Sequence, residues 1–341
     1  MKSWLFIIGM IFSSYVSWTE VCQVKEQGTD YIILEFNLKN DGILSVGKYS
    51  KTNKNMLQFI ENNIDIPKNF TKSDNLILGK IKKGKSVLKV NKLNLSSDYN
   101  FNIVYQDKEI EKLTTIKTNT LAFQPYKPSR GIRIKDTEPG CIEFIWNEGK
   151  GINRKIIVSN NKYIKIKDGN DYKSGNQKYG VEESKVSDGT YVVFDSKSNK
   201  DVKGVKLVDL EYKQYYISVI EYNGEGKYVN YNIDSSLNNP KSVYPKLFPP
   251  KALPVNNFEE NIFSAKWEKV QGSVFYEIQV AKDKNFNEIL EEYNNADVSN
   301  SSEFDIWVDD MTIEYYFRVR AISNNDKSDY SNVINVNFGQ K

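Results

Sequence analysis

Three segments of the chain alternate apolar and polar residues as a half-buried β-strand does. In 315–321, every second residue from Tyr315 to Ala321 is apolar or aromatic, and the residues between them are mostly charged or polar. A period of two gives a strand with one packed face and one face in water. The same alternation recurs in 99–105 and 215–219. The sequence therefore predicts three copies of one β unit.

Length and composition agree with this prediction. A chain of 341 residues is long for a single core and fits two or three domains. Aromatic residues make up 13% of the chain, with 22 tyrosines, and such side chains pack well on the surface of a sheet. Long amphipathic helical runs are scarce. We therefore expect an all-β protein of three domains.

Charge and the missing histidine exclude several classes of function. The net charge is +3, with lysine and acidic residues interspersed, so the chain is not expected to bind nucleic acid. The chain has no histidine, which removes Ser-His and Cys-His nucleophile pairs and imidazole zinc sites. We therefore expect no catalytic residue, no cofactor and no metal. A glycosidase that uses two carboxylates needs no histidine and remains an alternative.

The N-terminus has the pattern of a secretory signal peptide. A short basic head precedes the apolar run 4–12, which is shorter than the ~20 residues of a membrane span. Ser17-Trp18-Thr19 offers a cleavage site, which gives a signal peptide over 1–19 and no transmembrane span after its removal. The alternatives are an uncleaved anchor and a lipoprotein anchored at Cys22. With Cys141 as the second of two cysteines, a disulfide-rich scaffold is excluded.

The first unit resembles a fibronectin type III domain at one turn. Leu93 precedes Tyr99 by six residues, as in the tyrosine corner of that family, where the tyrosine hydroxyl bonds to the backbone of the turn. The unit departs from the family at Phe36, where a tryptophan is usual. The resemblance implies an immunoglobulin-like β-sandwich.

The second unit carries more of the family pattern. Cys141 to Trp146 is similar to the second strand with its core tryptophan, and 215–224 ends in Glu-Tyr-Asn-Gly. This resembles a variant fibronectin type III-like module of exported proteins from Bacteroidetes-type bacteria. The departure is at the corner, where Leu210 precedes Tyr215 by five residues instead of six.

The third unit resembles an ordinary fibronectin type III domain. A second strand ends in Trp267, and the corner tyrosine is Tyr315, although Asp309 stands where the family has leucine. Four prolines in 241–255 predict an extended, semi-rigid linker before this unit. The predicted organisation is a signal peptide at 1–19, a divergent fibronectin type III-like domain at 20–120, one with long loops at 121–240, the linker, and a fibronectin type III domain at 256–341.

Candidate residues fall into two groups. Strand position predicts a structural core that includes Trp146, Trp267, Tyr99, Tyr215 and Tyr315. The long polar segments 168–180 and 283–300 are the predicted recognition loops, because loops on a rigid scaffold commonly carry recognition. The candidate binding residues are Asp168, Asn170, Asp171, Tyr172, Tyr179 and Trp307. Residues 168–171 superficially resemble an acidic calcium loop but lack its repeated spacing, which favours a solvated turn.

The sequence thus predicts a secreted or cell-surface protein that binds or spaces without catalysis. Its three sandwiches would present loops to a protein of the envelope or surface, or to a glycan. Two alternatives stay open, a carbohydrate-binding accessory module and a fragment of a polysaccharide-degrading enzyme system. A row of exposed aromatic residues would favour the first, and two carboxylates facing across ~5–10 Å would favour the second.

Overall fold

The structure is a computed structural model that describes residues 22–49, 57–59, 70–73, 76–91, 93–108, 111–197, 202–256 and 258–339. The predicted signal peptide, 1–19, lies outside these residues. The chain divides into two compact units. The first runs to Gln124 and takes in Asp168–Asp171 and Asn223–Asn230, and the second contains the remaining residues.

The first unit contains one β-sandwich. Its strands are β1 (Cys22–Gln27), β2 (Ile32–Leu38), β3 (Gly42–Tyr49), β4 (Leu57–Phe59), β5 (Phe70–Ser73), β6 (Leu76–Ile81), β7 (Gly84–Val90), β8 (Asp98–Gln106) and β9 (Glu111–Asn119). One sheet has the order β1-β2-β7-β4 and the other β5-β6-β3-β8-β9. Phe36 of β2, Val46 of β3 and Phe101 of β8 are fully buried in one core. Because these residues alternate with exposed neighbours, each sheet has one packed face.

The second sandwich lies in the second unit. Its strands are β10 (Arg130–Glu138), β11 (Cys141–Asn147), β12 (Asn153–Ser159), β13 (Lys185–Ser187), β14 (Thr190–Asp195), β15 (Gly204–Leu207), β16 (Tyr215–Asn223), β17 (Asn230–Tyr231) and β18 (Lys241–Val243), with a 3-10 turn at Glu182–Ser184. Another 3-10 turn, Gly226–Tyr228, lies in the segment that belongs to the first unit. One sheet is β10-β11-β15 and the other is β13-β14-β12-β16-β17, with β18 also paired to β16. Phe144, Ile156 and Val219 meet between the sheets.

The third sandwich belongs to the same unit as the second. Its strands are β19 (Ala252–Leu253), β20 (Phe258–Glu259), β21 (Ile262–Trp267), β22 (Phe275–Ala281), β23 (Ile289–Asp297), β24 (Glu303–Trp307), β25 (Tyr315–Ile322) and β26 (Ile334–Val336). In one sheet β21 pairs with β19, β20 and β24, and the other has the order β23-β22-β25-β26. Phe263, Ile278 and Phe317 are fully buried between these sheets.

The three sandwiches share one pattern of connections. In the third, β21 pairs with β24 across the chain, while the strands between them, β22 and β23, join the opposite sheet. The second repeats this with β11 paired to β15, and the first with β2 paired to β7, except that β4, which lies between them in the chain, also pairs with β7. This exchange of strands between two sheets is the order of an immunoglobulin-like, fibronectin type III sandwich. The expected all-β fold of three sandwiches is therefore confirmed, while the exact domain boundaries stay a prediction.

The range predicted to be a linker, 241–255, contains regular structure. β18 pairs with β16 of the second sandwich, and β19 pairs with β21 of the third. Leu247, between them, is fully buried in the core of the third sandwich. These residues are therefore parts of the two sandwiches that they connect.

Candidate functional site

The two tryptophans predicted to lie in the core are buried. Trp146 is 5% exposed and packs near Phe144, with ring centroids 6.0 Å apart. Trp267 is 2% exposed and lies against Tyr276, with centroids 5.5 Å apart. Neither indole N–H has a hydrogen-bond partner. Both rings therefore contribute apolar contact area and have no surface to offer a ligand.

Tyrosine corners form in the first and third sandwiches. The Tyr99 hydroxyl accepts a hydrogen bond from the Asn94 backbone N–H at 2.7 Å, and the Tyr315 hydroxyl donates to the Asp310 carbonyl at 3.0 Å. Both rings are buried. Asp309, which replaces the usual leucine, does not prevent the corner, because the bond is to the backbone of the next residue.

The corner of the second sandwich is different. Tyr215 is fully buried, and burial raises the pKa of its hydroxyl. A contact with the Glu211 backbone lowers this pKa and so opposes the effect of burial. The geometry of that contact is not that of a normal hydrogen bond. The spacing of five residues between Leu210 and Tyr215 shortens the turn, which explains why the hydroxyl and the backbone do not align.

The first part of the predicted recognition loop is held by hydrogen bonds within the first unit. The Gly169 N–H donates to the Val229 carbonyl at 2.8 Å, and Asp171 Oδ2 accepts from the Gly226 N–H at 3.0 Å. The side chains of Asp168 and Asn170 are exposed. Within the described ranges, no three His, Cys, Asp or Glu residues are placed to hold a metal ion. This segment is a fixed turn, and its role in recognition stays a prediction.

The second part of that loop closes an edge of the second sandwich. The Gly175 N–H donates to the Val192 carbonyl at 2.8 Å, and the Gln177 N–H donates to the Val193 carbonyl at 2.7 Å, both on β14. Lys178 forms a bridge with Val208, just beyond β15 of the opposite sheet. The segment therefore spans from one sheet to the other and shields backbone groups at their edges.

Tyr179 ends this edge segment, and its ring faces the core. Its centroid lies 4.9 Å from that of Tyr191 and 5.1 Å from that of Tyr215, both in edge-to-face geometry. Its hydroxyl donates to the Gly189 carbonyl at 3.0 Å, and burial raises its pKa. The ring therefore packs against the core while it stays partly exposed, and the role of Tyr179 in binding a ligand stays a prediction. Sequence alone could not show this, because the partners come from other strands.

Tyr172 contributes its backbone to a buried polar cluster. The carbonyl of Tyr172 accepts a hydrogen bond at 2.7 Å from Nζ of Lys155, whose side chain is fully buried on β12. Lys155 Nζ also lies 2.5 Å from Asp195 Oδ2, and the Tyr222 hydroxyl donates to Asp195 Oδ1 at 2.6 Å. We define Lys155, Asp195 and Tyr222 as the buried triad. Sequence analysis missed it, since a lysine in a strand is typical of an exposed position.

A second buried charge anchors the loop after β11. Glu221 is fully buried, and its carboxylate accepts hydrogen bonds from Ser129 Oγ at 2.5 Å and from the N–H groups of Gly149 and Gly151 at 2.9 and 3.0 Å. Arg154 Nε lies 3.5 Å from the same carboxylate. These partners offset the cost of burying a charge. A glutamate within an apolar strand is the signal that could have indicated this anchor.

The other predicted recognition loop, 283–300, is largely a strand. Asp283 closes a tight turn, where its carboxylate accepts from the N–H groups of Asn285, Asn287 and Glu288 at 2.8, 2.8 and 2.7 Å. These bonds lower the pKa of Asp283. The following residues form β23, which pairs with β22. The expectation of a long loop is wrong here, because the polar residues lie on the exposed face of an edge strand.

Trp307 is the exposed aromatic residue among the predicted binding residues. It ends β24, and 47% of the residue is accessible to solvent. Its backbone N–H donates to the Tyr293 hydroxyl at 3.0 Å. Ile262 lies opposite it on β21, and Asp305 precedes it on the same exposed face, where Asp305 accepts from Ser264 Oγ at 2.6 Å. We call Trp307, Tyr293, Ile262 and Asp305 the Trp307 surface.

The second and third sandwiches meet at Tyr212, which the sequence analysis did not single out. Tyr212 lies between β15 and β16 of the second sandwich, yet it belongs to the hydrophobic core of the third. Its hydroxyl lies 2.5 Å from Ser323 Oγ, and its ring is close to Tyr244, with centroids 5.7 Å apart. Asp326 Oδ2 accepts from the Leu247 N–H at 2.8 Å. We call this contact the Tyr212 junction.

The junction uses two loops of the third sandwich. Ser323 and Asp326 lie between β25 and β26, and Gly272 lies between β21 and β22. A Cβ atom added to Gly272 would lie 2.3 Å from Tyr212 Cδ1, so the backbone and ring are in close approach. These loops are therefore occupied by the neighbouring sandwich.

Over the part of the chain that the structure describes, no helix is long and apolar enough to cross a bilayer.

No protein-family model and no curated protein matches the sequence. A solved structure of the FN1–FN3 domains of chicken CNTN1 aligns with 93% of this chain and 96% of that chain, with 14% sequence identity and a TM-score of 0.23. At these values the likeness carries no argument about fold or function. The fold assignment rests on the strand order of each sandwich.

Proposed function

We propose that the protein is a non-catalytic binding and spacing module, exported to the cell envelope or surface. The observation that carries the proposal is the Tyr212 junction. A buried tyrosine and a buried linker residue join two sandwiches through a packed contact, whereas a flexible linker would leave them free to move. A fixed pair of sandwiches suits a protein that holds a surface at a set distance from its attachment point.

The Trp307 surface is the proposed place of binding. The predicted loops 168–180 and 283–300 are engaged in turns, edges and strands, while Trp307 presents a large ring to solvent. Exposed aromatic rings with nearby polar groups commonly contribute to protein recognition. The setting at a bacterial envelope is supported by the resemblance of the second unit to exported modules and by the signal-peptide pattern at 1–19.

The experiment is a cross-linking pull-down from the native envelope fraction with the tagged chain 20–341. Wild-type protein is compared with Trp307→Ala and with Tyr163→Ala, a control at a ring that is 81% exposed in the second sandwich. We expect a defined protein partner that Trp307→Ala loses and Tyr163→Ala retains. Capture that is equal for all three chains would contradict binding at the Trp307 surface.

A carbohydrate-binding role is the second candidate, and the exposed Trp307 with Asp305 beside it is the observation that favours it. An indole ring stacks on the apolar face of a sugar, and a carboxylate accepts its hydroxyl hydrogens. Capture of polysaccharide without protein in the same experiment would support this role. Release of reducing sugar from that polysaccharide by the pure chain would overturn the non-catalytic proposal.

A further inference from the structure

A lysine and an aspartate face each other on neighbouring strands of the second sandwich. Lys155 on β12 and Asp195 on β14 are register partners, and Nζ of the lysine lies 2.5 Å from Oδ2 of the aspartate. The Lys155 side chain is fully buried, and 13% of the Asp195 side chain is exposed. The strands therefore hold an amine and a carboxyl group in contact, away from bulk water.

Other groups fix the orientation of the two reactive groups. The Tyr172 carbonyl accepts a hydrogen bond from Lys155 Nζ at 2.7 Å. On the far side of the carboxyl group, Asp195 Oδ1 accepts from the Tyr222 hydroxyl at 2.6 Å and from the Lys197 N–H at 3.0 Å. One carboxyl oxygen thus faces hydrogen-bond donors, and the other faces the amine.

We propose that Lys155 and Asp195 form an intramolecular isopeptide bond in the folded protein. A proton first moves from the ammonium to Oδ2, which gives a neutral amine and a carboxylic acid. The Nζ lone pair then attacks Cγ, and the negative charge that develops on Oδ1 is stabilised by the donors from Tyr222 and Lys197. The Cγ–Oδ2 bond breaks, and Oδ2 takes a second proton from Nζ and leaves as water.

This condensation needs neither an oxidant nor a cofactor, since its products are one amide and one water molecule. Two features of the fold favour it. The strands hold the reacting groups in contact, which removes the entropic cost of bringing them together. Burial also disfavours the ion pair, because two charges have been taken from water, and the amide carries neither charge.

The test is the mass of the full chain under denaturing conditions, followed by peptide mapping. We expect a mass lower than that of the sequence by one water molecule, and a branched peptide that joins residue 155 to residue 195. The full sequence mass with only linear peptides, in protein that has been kept folded, would overturn the proposal and leave an ion pair.

Matched variants identify the reacting atoms. Lys155→Met and Asp195→Ala lack one partner and should give only linear peptides. Asp195→Asn should give the same amide as the wild type, because the side-chain amide loses ammonia where the acid loses water. Tyr222→Phe keeps the ring and removes one donor, so the linked product should form about a hundredfold more slowly. Circular dichroism confirms that each variant is folded, and if none folds, the wild-type mass decides alone.

Discussion

Tyr212 of the second sandwich and Ser323 of the third place their hydroxyl oxygens 2.5 Å apart, at the edge of a shared hydrophobic core. The contact is made by residues 111 positions apart in the sequence. Tyr212 contributes a ring to the core and a hydroxyl to a polar contact. Mutation can therefore separate the effect of the ring on stability from that of the hydroxyl.

Tyr212→Ala should lower the free energy of unfolding by about 3 kcal/mol, because truncating a buried aromatic residue leaves a cavity. Tyr212→Phe keeps the ring and loses the contact with Ser323, so its cost should be about 1 kcal/mol. Chemical denaturation followed by tryptophan fluorescence measures both. Tyr163→Ala is the control at an exposed ring, and equal stability of Tyr212→Ala and that control would show that the junction does not stabilise the pair.

Gly272→Ala should also destabilise the junction. Gly272 has a φ of +88°, which an L-residue rarely adopts, and the added Cβ would lie 2.3 Å from Tyr212 Cδ1. We expect a loss of about 2 kcal/mol in the same denaturation experiment. The double variant with Tyr212→Ala relieves the clash but keeps the backbone strain. Its loss should therefore be smaller than the sum of the two single losses, and strict additivity would argue against the clash.

Removing the hydroxyl of a corner tyrosine should have different effects in two sandwiches. Tyr99→Phe loses the hydrogen bond from the Asn94 N–H and should cost about 1 kcal/mol. Tyr215→Phe removes a buried hydroxyl that lacks a normal hydrogen bond, so it should be neutral or slightly stabilising. Thermal unfolding compares the two variants. An equal loss for both would mean that Tyr215 has a bonded corner after all.

Acid should weaken the third sandwich through Glu277. Burial raises the pKa of this carboxyl, but hydrogen bonds from Arg320 at 2.7 Å and Lys327 at 3.1 Å outweigh burial and hold the pKa below its usual range. Since the folded-state pKa is lower than that of the unfolded chain, the stabilisation is full above pH about 4.3 and is lost as the pH falls through the folded-state pKa.

The Glu277 prediction is checked by melting temperatures from pH 7 down to about pH 3 for the wild type and Glu277→Gln. The wild type should melt higher at neutral pH, and the difference should shrink as Glu277 takes up a proton. A difference that stays constant across this range would mean that the charge of Glu277 does not contribute.

The two cysteines should react differently with thiol reagents. Cys22 is buried in the first core, and burial raises its pKa to about 12, so little reactive thiolate forms at neutral pH. Cys141 is free and partly exposed. In native protein we expect a maleimide to label Cys141 and to label Cys22 only after unfolding, as peptide mapping would show. Rapid native labelling of Cys22, with Cys141→Ser as control, would contradict its burial.

Local sequence was sufficient to predict the strands and much of the core. The alternation around Tyr315 and Tyr99 is a property of neighbouring residues, and each of these rings is buried between two sheets. The tyrosine corners are likewise short-range contacts. The spacing of six residues from Leu93 to Tyr99 predicted a corner that forms, and the shorter spacing before Tyr215 indicated a corner that differs.

Contacts distant in sequence could not be predicted in this way. The Lys155–Asp195 pair depends on strand register, and the position of Tyr179 depends on rings from two other strands. Tyr212 lies in a polar stretch, and only the docking of another sandwich explains its burial. The polar character of 168–180 predicted exposure, but the segment satisfies the backbone of a sheet edge.

Leu247 is fully buried in the third core and its N–H is bonded to Asp326, although it precedes β19, where that sandwich begins. A gene fragment that starts at β19 would therefore encode a third sandwich with a hole in its core. A fragment that starts at Tyr244, just after β18, would include Leu247 but would lose Tyr212, which lies in the second sandwich and packs in the same core. No position between the two sandwiches is a neutral site for recombination, so they should be exchanged between genes, and produced in the laboratory, as a pair.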